Sequence, residues 1–287
     1  MKKYKICKIL LVILAIFLCV AFYELLGICV AYKKQPEVSN TTKKETKNGS
    51  WNECSENTER AVIIEKNPEA LLQRVRLIKN AKKEIILSTF AFQSDESGKL
   101  ILGALHDAAD RGVHIRLLVD GMESWIDMEG NPYFYGLSSH ENVEIKLYNK
   151  ANPLKPWKMM GRMHDKYLIA DGKTYILGGR NTYNYFLGDF PGHKNYDRDV
   201  LVVCDEPEKE NSVNQLLEYF ETIWEQEDSG YFHDNKKLAN RKSVKNAVLE
   251  LQNGYQKYFE ENKERICDTD YTDETFETEK IALVSNP

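Results

Sequence analysis

A histidine and a lysine two positions apart carry the clearest chemical signal in this sequence. His164 and Lys166 lie in residues 163–171, whose alternation predicts a strand with both side chains on one face. The imidazole can act as nucleophile or proton donor toward a phosphodiester, and the ammonium group can hold a non-bridging phosphate oxygen. A buried core histidine beside a surface lysine would give the same spacing. The neighbouring residues therefore decide between a catalytic pair and an ordinary structural one.

Two glycines and an amide follow at close spacing. Gly178 and Gly179 let the backbone approach a bound phosphate, and Asn181 can donate its amide hydrogens to that phosphate. Asp171 and Gly172 stand between two apolar runs and predict a hairpin turn. Aspartate is favoured there for turn reasons alone, so an electrostatic role for Asp171 stays open beside the turn role.

The surrounding pattern predicts an α/β fold. Apolar runs at 84–92 and 114–120, joined by a helix over about 98–111, form a strand–helix–strand unit typical of a parallel sheet. The first run is too apolar to have one wet face. We therefore expect a mixed, mainly parallel sheet with helices on both faces. Further strands are predicted at 60–65, 143–148, 166–170, 174–177 and 198–203, and further helices from 67, over 207–226 and over about 235–265.

The run from His164 to Asn181 resembles the signature of the phospholipase D superfamily, with Gly161 and Arg162 before it. Upstream, residues 97–120 resemble cardiolipin synthase-like bacterial members, and the resemblance covers about residues 60–205. It implies phosphodiester chemistry through a phosphohistidine, without metal or cofactor. His164 would be the catalytic histidine. Lys166 and Asn181 would be phosphate ligands beside the Gly178–Gly179 pair, and Asp171 a structural partner within the catalytic motif.

Asp199 is a candidate for orienting the histidine. Superfamily members often place an acid downstream to hold the second ring nitrogen, which would fix the tautomer. The alternative is that Asp199, like Arg198 beside it, pairs with neighbours at the start of a strand.

The N-terminus predicts a membrane anchor. Residues 9–31 are apolar except for Tyr23 and Glu24. This segment is long enough for a membrane-spanning helix and too long for the apolar region of an ordinary signal peptide. The expected organisation is a basic N-terminus (1–8), an anchor (9–32), a polar linker (33–59), a phospholipase D-like domain (60–230), a helical and acidic spacer (231–279) and the start of a second unit (280–287). Basic residues before the anchor favour an extracytoplasmic domain at the cell membrane.

Charge and composition narrow the partners. A net charge of -5 and a pI near 5.8 argue against a nucleic-acid partner, because phosphate neutralisation supplies most of that affinity. The six cysteines have no metal-ligand spacing, so no metal site is predicted. Basic residues interleaved with Trp157, Met159 and Met160 before the motif favour an anionic lipid surface, or else a solvated loop with one buried tryptophan.

The sequence departs from the superfamily in one respect. Phospholipase D centres combine two such motifs, and none of the other histidines has a lysine two positions later; these are His106, His114, His140, His193 and His233. Either two chains pair, or this is the N-terminal half of a two-motif protein, which the apolar run at 281–284 favours. We expect a cardiolipin synthase-like phosphodiesterase or phosphatidyltransferase acting on phospholipids. The alternatives are a single-motif homodimeric endonuclease or phosphodiesterase, and a non-catalytic half-protein that binds phosphate head groups.

Overall fold

The apolar runs of the sequence pair into one nine-stranded mixed sheet. It forms the centre of a computed structural model that describes residues 2–33, 43, 59–204, 211–233, 235–279 and 281–283. The strands are β1 (Glu59–Ile64), β2 (Glu84–Thr89), β3 (His114–Asp120), β4 (Val143–Tyr148), β5 (Lys166–Ala170), β6 (Thr174–Gly178), β7 (Asp199–Val203), β8 (Ser229–Tyr231) and β9 (Phe276–Thr278). Their order across the sheet is β8-β4-β3-β2-β5-β6-β7-β1-β9.

The mixed α/β architecture is confirmed, but the parallel part is smaller than expected. Only the β2–β3 and β3–β4 pairings of this sheet are parallel, and the other pairings between its described strands are antiparallel. The reason is local. The turn at Asp171 folds β6 back on β5, and β5 enters the sheet antiparallel to β2, with Lys166 opposite Thr89.

Helices cover both faces of the sheet, as the apolar strands require. They are α1 (Lys2–Lys33), α2 (Asn67–Asn80), α3 (Glu96–Asp110), α4 (Gly121–Asp127), α5 (Pro132–Ser138), α6 (Ser212–Trp224), α7 (Lys242–Glu261) and α8 (Lys263–Cys267), with 3-10 helices at Pro156–Met160 and Lys236–Asn240. Alternate strand residues enter two separate cores: Leu87 packs on the side of α2 and α3, and Ile86 on the side of α6.

The segment expected to be a spacer packs onto this domain. Helix α7 lies so close to α3 that a Cβ at Gly103 would stand 2.7 Å from the Leu251 carbonyl oxygen. Strand β9 pairs with β1. The described residues of the segment 231–279 therefore pack onto the domain.

Two predicted segments lie partly outside the described residues. The linker at 33–59 is described only at its two ends and at residue 43. Of the predicted strand start at 280–287, only 281–283 are described, and they are not in a strand. Ile281 and Leu283 pack against the α6-side core, and the Leu283 N–H donates to Gln215 Oε1 at 2.9 Å.

Helix α1 contains one span, Tyr4–Lys33, that is long and apolar enough to cross a membrane. Its apolar side chains are exposed along most of its length. Near its C-terminal end it touches the domain, where the Tyr23 hydroxyl donates to the Leu154 carbonyl oxygen at 2.8 Å and Gly27 lies against Pro156.

Candidate active site

Lys166 is the first residue of β5, at one edge of the sheet, and His164 lies two residues before it. Because β5 runs antiparallel to β2, its first residue stands beside the last residue of β2, Thr89. Asp120, the last residue of β3, also lies at this edge. The carboxyl ends of parallel strands are where open α/β sheets place their ligands, so the pair occupies the expected kind of position.

Lys166 is almost fully buried yet has no acidic partner. Its side chain is 6% exposed, and its Nζ donates to the His164 carbonyl oxygen at 2.6 Å. Burial lowers its pKa to about 8, although the carboxylates of Asp165 and Asp197 oppose that shift. Lys166 forms no ion pair within the described ranges, so its charge at neutral pH is available to an incoming anion.

The His164 ring is exposed and uncommitted. It packs edge-on against Phe90, with ring centroids 4.7 Å apart, and forms no hydrogen bond with any described residue. Partial burial and then the charge of Lys166 lower its pKa. The ring is therefore neutral at pH 7, with one nitrogen lone pair free, which is the form that a nucleophile requires.

Phe90, which was not among the predicted site residues, contacts both His164 and the cations of this edge. Besides the edge contact with His164, its ring lies 5.3 Å from Lys166 Nζ and 4.9 Å from the Arg162 guanidinium. The apolar run at 84–92 was assigned wholly to a strand, whereas β2 ends at Thr89 and Phe90 turns toward the site. A π-face beside two cations favours their charged forms.

A buried carboxylate fixes the backbone that enters the site. Asp120, 1% exposed, accepts from Arg162 Nε at 2.9 and 3.0 Å and from the Met163 N–H at 3.1 Å. It also caps α4, because it accepts from the N–H groups of Met122 and Glu123. Asp120 therefore ties β3, α4 and the residues before His164 into one unit. An aspartate at the end of an apolar strand was the available signal.

The glycine pair makes room for carboxylates. A Cβ at Gly178 would stand 2.1 Å from Asp199 Oδ1, and one at Gly179 would stand 2.0 Å from Asp197 Oδ2. Asn181 is 7% exposed, and its Oδ1 accepts from the Ala91 N–H at 3.2 Å. These contacts explain the two glycines without a ligand and leave the role of Asn181 toward phosphate as a prediction.

Comparison with known proteins identifies the family of the domain. The family model described as "Cardiolipin synthase, PLD-like domain" matches residues 74–224, more than half of the chain. The chain belongs to this phospholipase D-like family. An uncharacterized protein of Helicobacter pylori is 30% identical over 212 residues, which cover 69% of this chain and 39% of that protein. Cardiolipin synthase C of Escherichia coli is 29% identical over 171 residues, covering 55% and 34%.

The fold is also that of a solved relative. The structure of phosphatidylserine synthase from Haemophilus influenzae superimposes with a TM-score of 0.50 at 18% identity, covering 77% of this chain and 48% of that one. This likeness concerns the fold alone. The chain spans about two fifths of the length of the first curated relatives it matches.

Asp171 of this phospholipase D-like domain lies at the opposite end of β5 from His164, seven residues and roughly 20 Å away. Its carboxylate accepts from the N–H groups of Lys82, Lys83 and Glu84 at 2.7 to 3.1 Å, and its φ is 53°. None of these contacts reaches His164 or Lys166. The carboxylate of Asp171 holds the loop before β2, and its backbone forms the turn between β5 and β6. Both roles are structural.

Asp199, the candidate for orienting the histidine, lies between two arginines. It is 2% exposed, and its Oδ2 lies 2.9 Å from Arg74 and 3.2 Å from Arg180. Its partners among the described residues are these two arginines, not the His164 ring. In this structure Asp199 therefore pairs with arginines from other elements, and its role in orienting His164 stays a prediction.

Most of the basic side chains in the stretch 146–162, before His164, are already bound to other groups of the protein. Lys146 is buried and donates to the Trp224 carbonyl oxygen at 2.8 Å, while Lys158 pairs with Asp228 at 2.7 Å. Arg162 is held by Asp120. Trp157, by contrast, is 45% exposed rather than buried. The apolar part of the predicted lipid surface is thus exposed, and most of its cationic part is not free.

Proposed function

We propose that this domain is a phospholipid phosphodiesterase or phosphatidyltransferase of the cardiolipin synthase type, working through a phosphohistidine at His164. The observation that carries the proposal is the pairing of an exposed, uncommitted imidazole with a buried lysine that lacks an acidic partner. Membership of the phospholipase D-like family supports it, as do relatives named cardiolipin synthase.

The proposed first step forms one bond and breaks another. A neutral nitrogen of His164 attacks the phosphorus, the phosphorus–oxygen bond to the leaving alcohol breaks, and that oxygen takes a proton. Lys166 and the amide group of Asn181 hold the non-bridging oxygens while negative charge builds there. In the second step a hydroxyl group attacks phosphorus and releases His164. Water as attacker gives hydrolysis, and a lipid alcohol gives transfer.

The leaving oxygen requires an acid, which in this proposal comes from a second copy of the motif. None of the other histidines has a lysine two positions later, so the sequence as given holds one such pair. The second copy comes from a homodimer partner or from a C-terminal half. The α1 helix would hold the domain at the cell membrane, on the extracytoplasmic side by the charge of residues 1–8.

The test uses the full chain in detergent micelles that contain phosphatidylglycerol. We expect release of glycerol or formation of cardiolipin, together with an acid-labile phosphoenzyme, and loss of both in His164→Asn. The matched control is His114→Asn, because His114 is a half-exposed surface histidine that pairs with Glu144 at 3.0 Å. Lipid turnover that survives in His164→Asn would contradict the proposal. Cleavage of single-stranded DNA with lipid untouched would favour the endonuclease, and phosphate binding without turnover the non-catalytic half-protein.

A further inference from the structure

An exposed apolar loop lies directly before the active-site strand. In residues 154–160, here called the docking loop, Leu154 is 79% exposed, Trp157 45% and Met160 49%. These side chains precede His164 by ten, seven and four residues. Clustered exposed apolar groups next to a site mark a binding surface rather than ordinary surface composition.

The same loop is in contact with the apolar helix. The Tyr23 hydroxyl donates to the Leu154 carbonyl oxygen at 2.8 Å, and a Cβ at Gly27 would stand 2.4 Å from Pro156 Cγ. With a rise of about 1.5 Å per residue, Gly27 lies about 6 Å and Tyr23 about 12 Å before Ala31, where the apolar segment ends. If α1 spans a bilayer, the docking loop therefore lies at the membrane interface on the side where α1 ends.

We propose that the docking loop inserts Leu154, Trp157 and Met160 into the interface of a phospholipid bilayer and so brings His164 to the head groups of that leaflet. Tryptophan is favoured at this depth because its ring has an apolar body and a polar N–H. The identity of the substrate rests on the proposed function, whereas the insertion itself does not.

Insertion is driven by apolar burial rather than by charge. Lys158 is paired with Asp228, and Lys150 Nζ donates to the Tyr231 carbonyl oxygen. Lys155 alone in the docking loop is exposed without an ion pair to a described residue. Polybasic attraction to anionic lipid requires several free cations, so binding of the loop should depend little on salt or on lipid charge.

The direct test is quenching of Trp157 fluorescence by lipid. The full chain is reconstituted in phosphatidylcholine vesicles with brominated acyl chains, and wild type is compared with Trp157→Phe, so that the difference spectrum reports Trp157. We expect this component to be quenched by bromine, equally at low and high salt. Quenching by aqueous iodide instead would overturn the proposal. Protection from both quenchers would mean that a protein surface, such as a second copy, covers the loop, and would overturn it as well.

A second measurement separates this proposal from the proposed function. Turnover of vesicle phosphatidylglycerol is divided by turnover of soluble bis(p-nitrophenyl) phosphate for the full-length double variant Leu154→Glu/Trp157→Glu. We expect this ratio to fall at least about tenfold. The control is Leu249→Glu on α7, a side chain 57% exposed, which should keep the wild-type ratio. A ratio that does not change in the double variant overturns insertion. If wild type cleaves neither substrate, the proposed function fails and the quenching result still decides the docking loop.

Discussion

Replacing Lys166 by methionine should make the folded protein more stable while it removes activity. Lys146 provides the comparison, because the two lysines are equally buried, at 8% exposed for Lys146 and 6% for Lys166. Lys146 Nζ donates to the Trp224 carbonyl oxygen at 2.8 Å and, unlike Lys166, has an acidic partner, Glu225, at 3.9 Å. Lys166 has one backbone acceptor and no acidic partner among the described residues. Burying a charge without a partner costs stability.

The magnitude follows from the pKa of Lys166. Its shift from 10.5 to about 8 is 2.5 units, which at about 1.36 kcal/mol per unit corresponds to roughly 3 kcal/mol against the charged folded state. That value is an upper limit for Lys166→Met, because the substitution also removes the hydrogen bond from Nζ, worth about 1 kcal/mol. We therefore expect a gain of roughly 1–2 kcal/mol at pH 7, or a rise in Tm of about 2–8 °C.

The gain should depend on pH in a defined direction. A lysine with a lowered folded-state pKa destabilises the fold fully below pH 8, and the destabilisation disappears as pH rises toward 10.5. Thermal unfolding of the full chain in mild detergent should thus show a larger gain for Lys166→Met at pH 7 than at pH 10. Lys146→Met should lower Tm instead. A Lys166→Met protein that is less stable than wild type at pH 7, or whose gain is the same at both pH values, would refute the reasoning.

Three further predictions concern the candidate site and the strand β5 that positions it. The kcat/KM for a phosphodiester should fall about tenfold per pH unit above about pH 8, as Lys166 loses its proton. Because the pKa of His164 is lowered, the decline of kcat/KM on the acidic side should begin below pH 6.5. A pH profile that is flat to pH 10 would contradict this. Phe90→Leu should raise the pKa of His164 by rehydrating its ring, measured by NMR titration, and Phe90→Tyr should not. Asp171→Ala should cost about 1–3 kcal/mol of stability, because three backbone N–H groups lose their acceptor. Its kcat per folded molecule, from active-site titration with the phosphoenzyme, should stay within about twofold; a larger loss would mean that Asp171 acts in the chemistry.

The strands at the centre of the sheet were predictable because their apolar runs are long and bounded by turn residues. The predicted bounds 114–120 and 143–148 agree with β3 and β4. The direction in which neighbouring strands pair was harder to predict from the sequence. Strand β5 joins β2, about eighty residues earlier in the chain, and nothing local in either strand indicates that they run antiparallel. Local periodicity defines elements, whereas their neighbours depend on tertiary packing.

Helix α7 shows a signal that was present but outweighed. Its charged surface led to the prediction that it belongs to a helical and acidic spacer at residues 231–279. Val244, Ala247, Leu251 and Tyr255 nevertheless recur at three- and four-residue spacing and are the side that packs against the domain. The sequence around Asp199 does not indicate its ion-pair partners, because Arg74 and Arg180 come from other parts of the chain. Ion pairs between distant elements have no sequence pattern to read.

The two ends of β5 show how Asp171 is linked to the candidate site, although it lies at the far end of the strand. At the His164 end, Asp120 accepts from the Met163 N–H, and at the other end Asp171 accepts from the backbone before β2. The register that sets Lys166 opposite Thr89 is thereby held at both ends. A slip of one residue would turn His164 and Lys166 to the opposite face of the sheet, away from Phe90. Asp171 thus acts on the site through the register of the strand, and His164 and Lys166 keep their common face because the backbone around β5 is bonded to carboxylates at both ends.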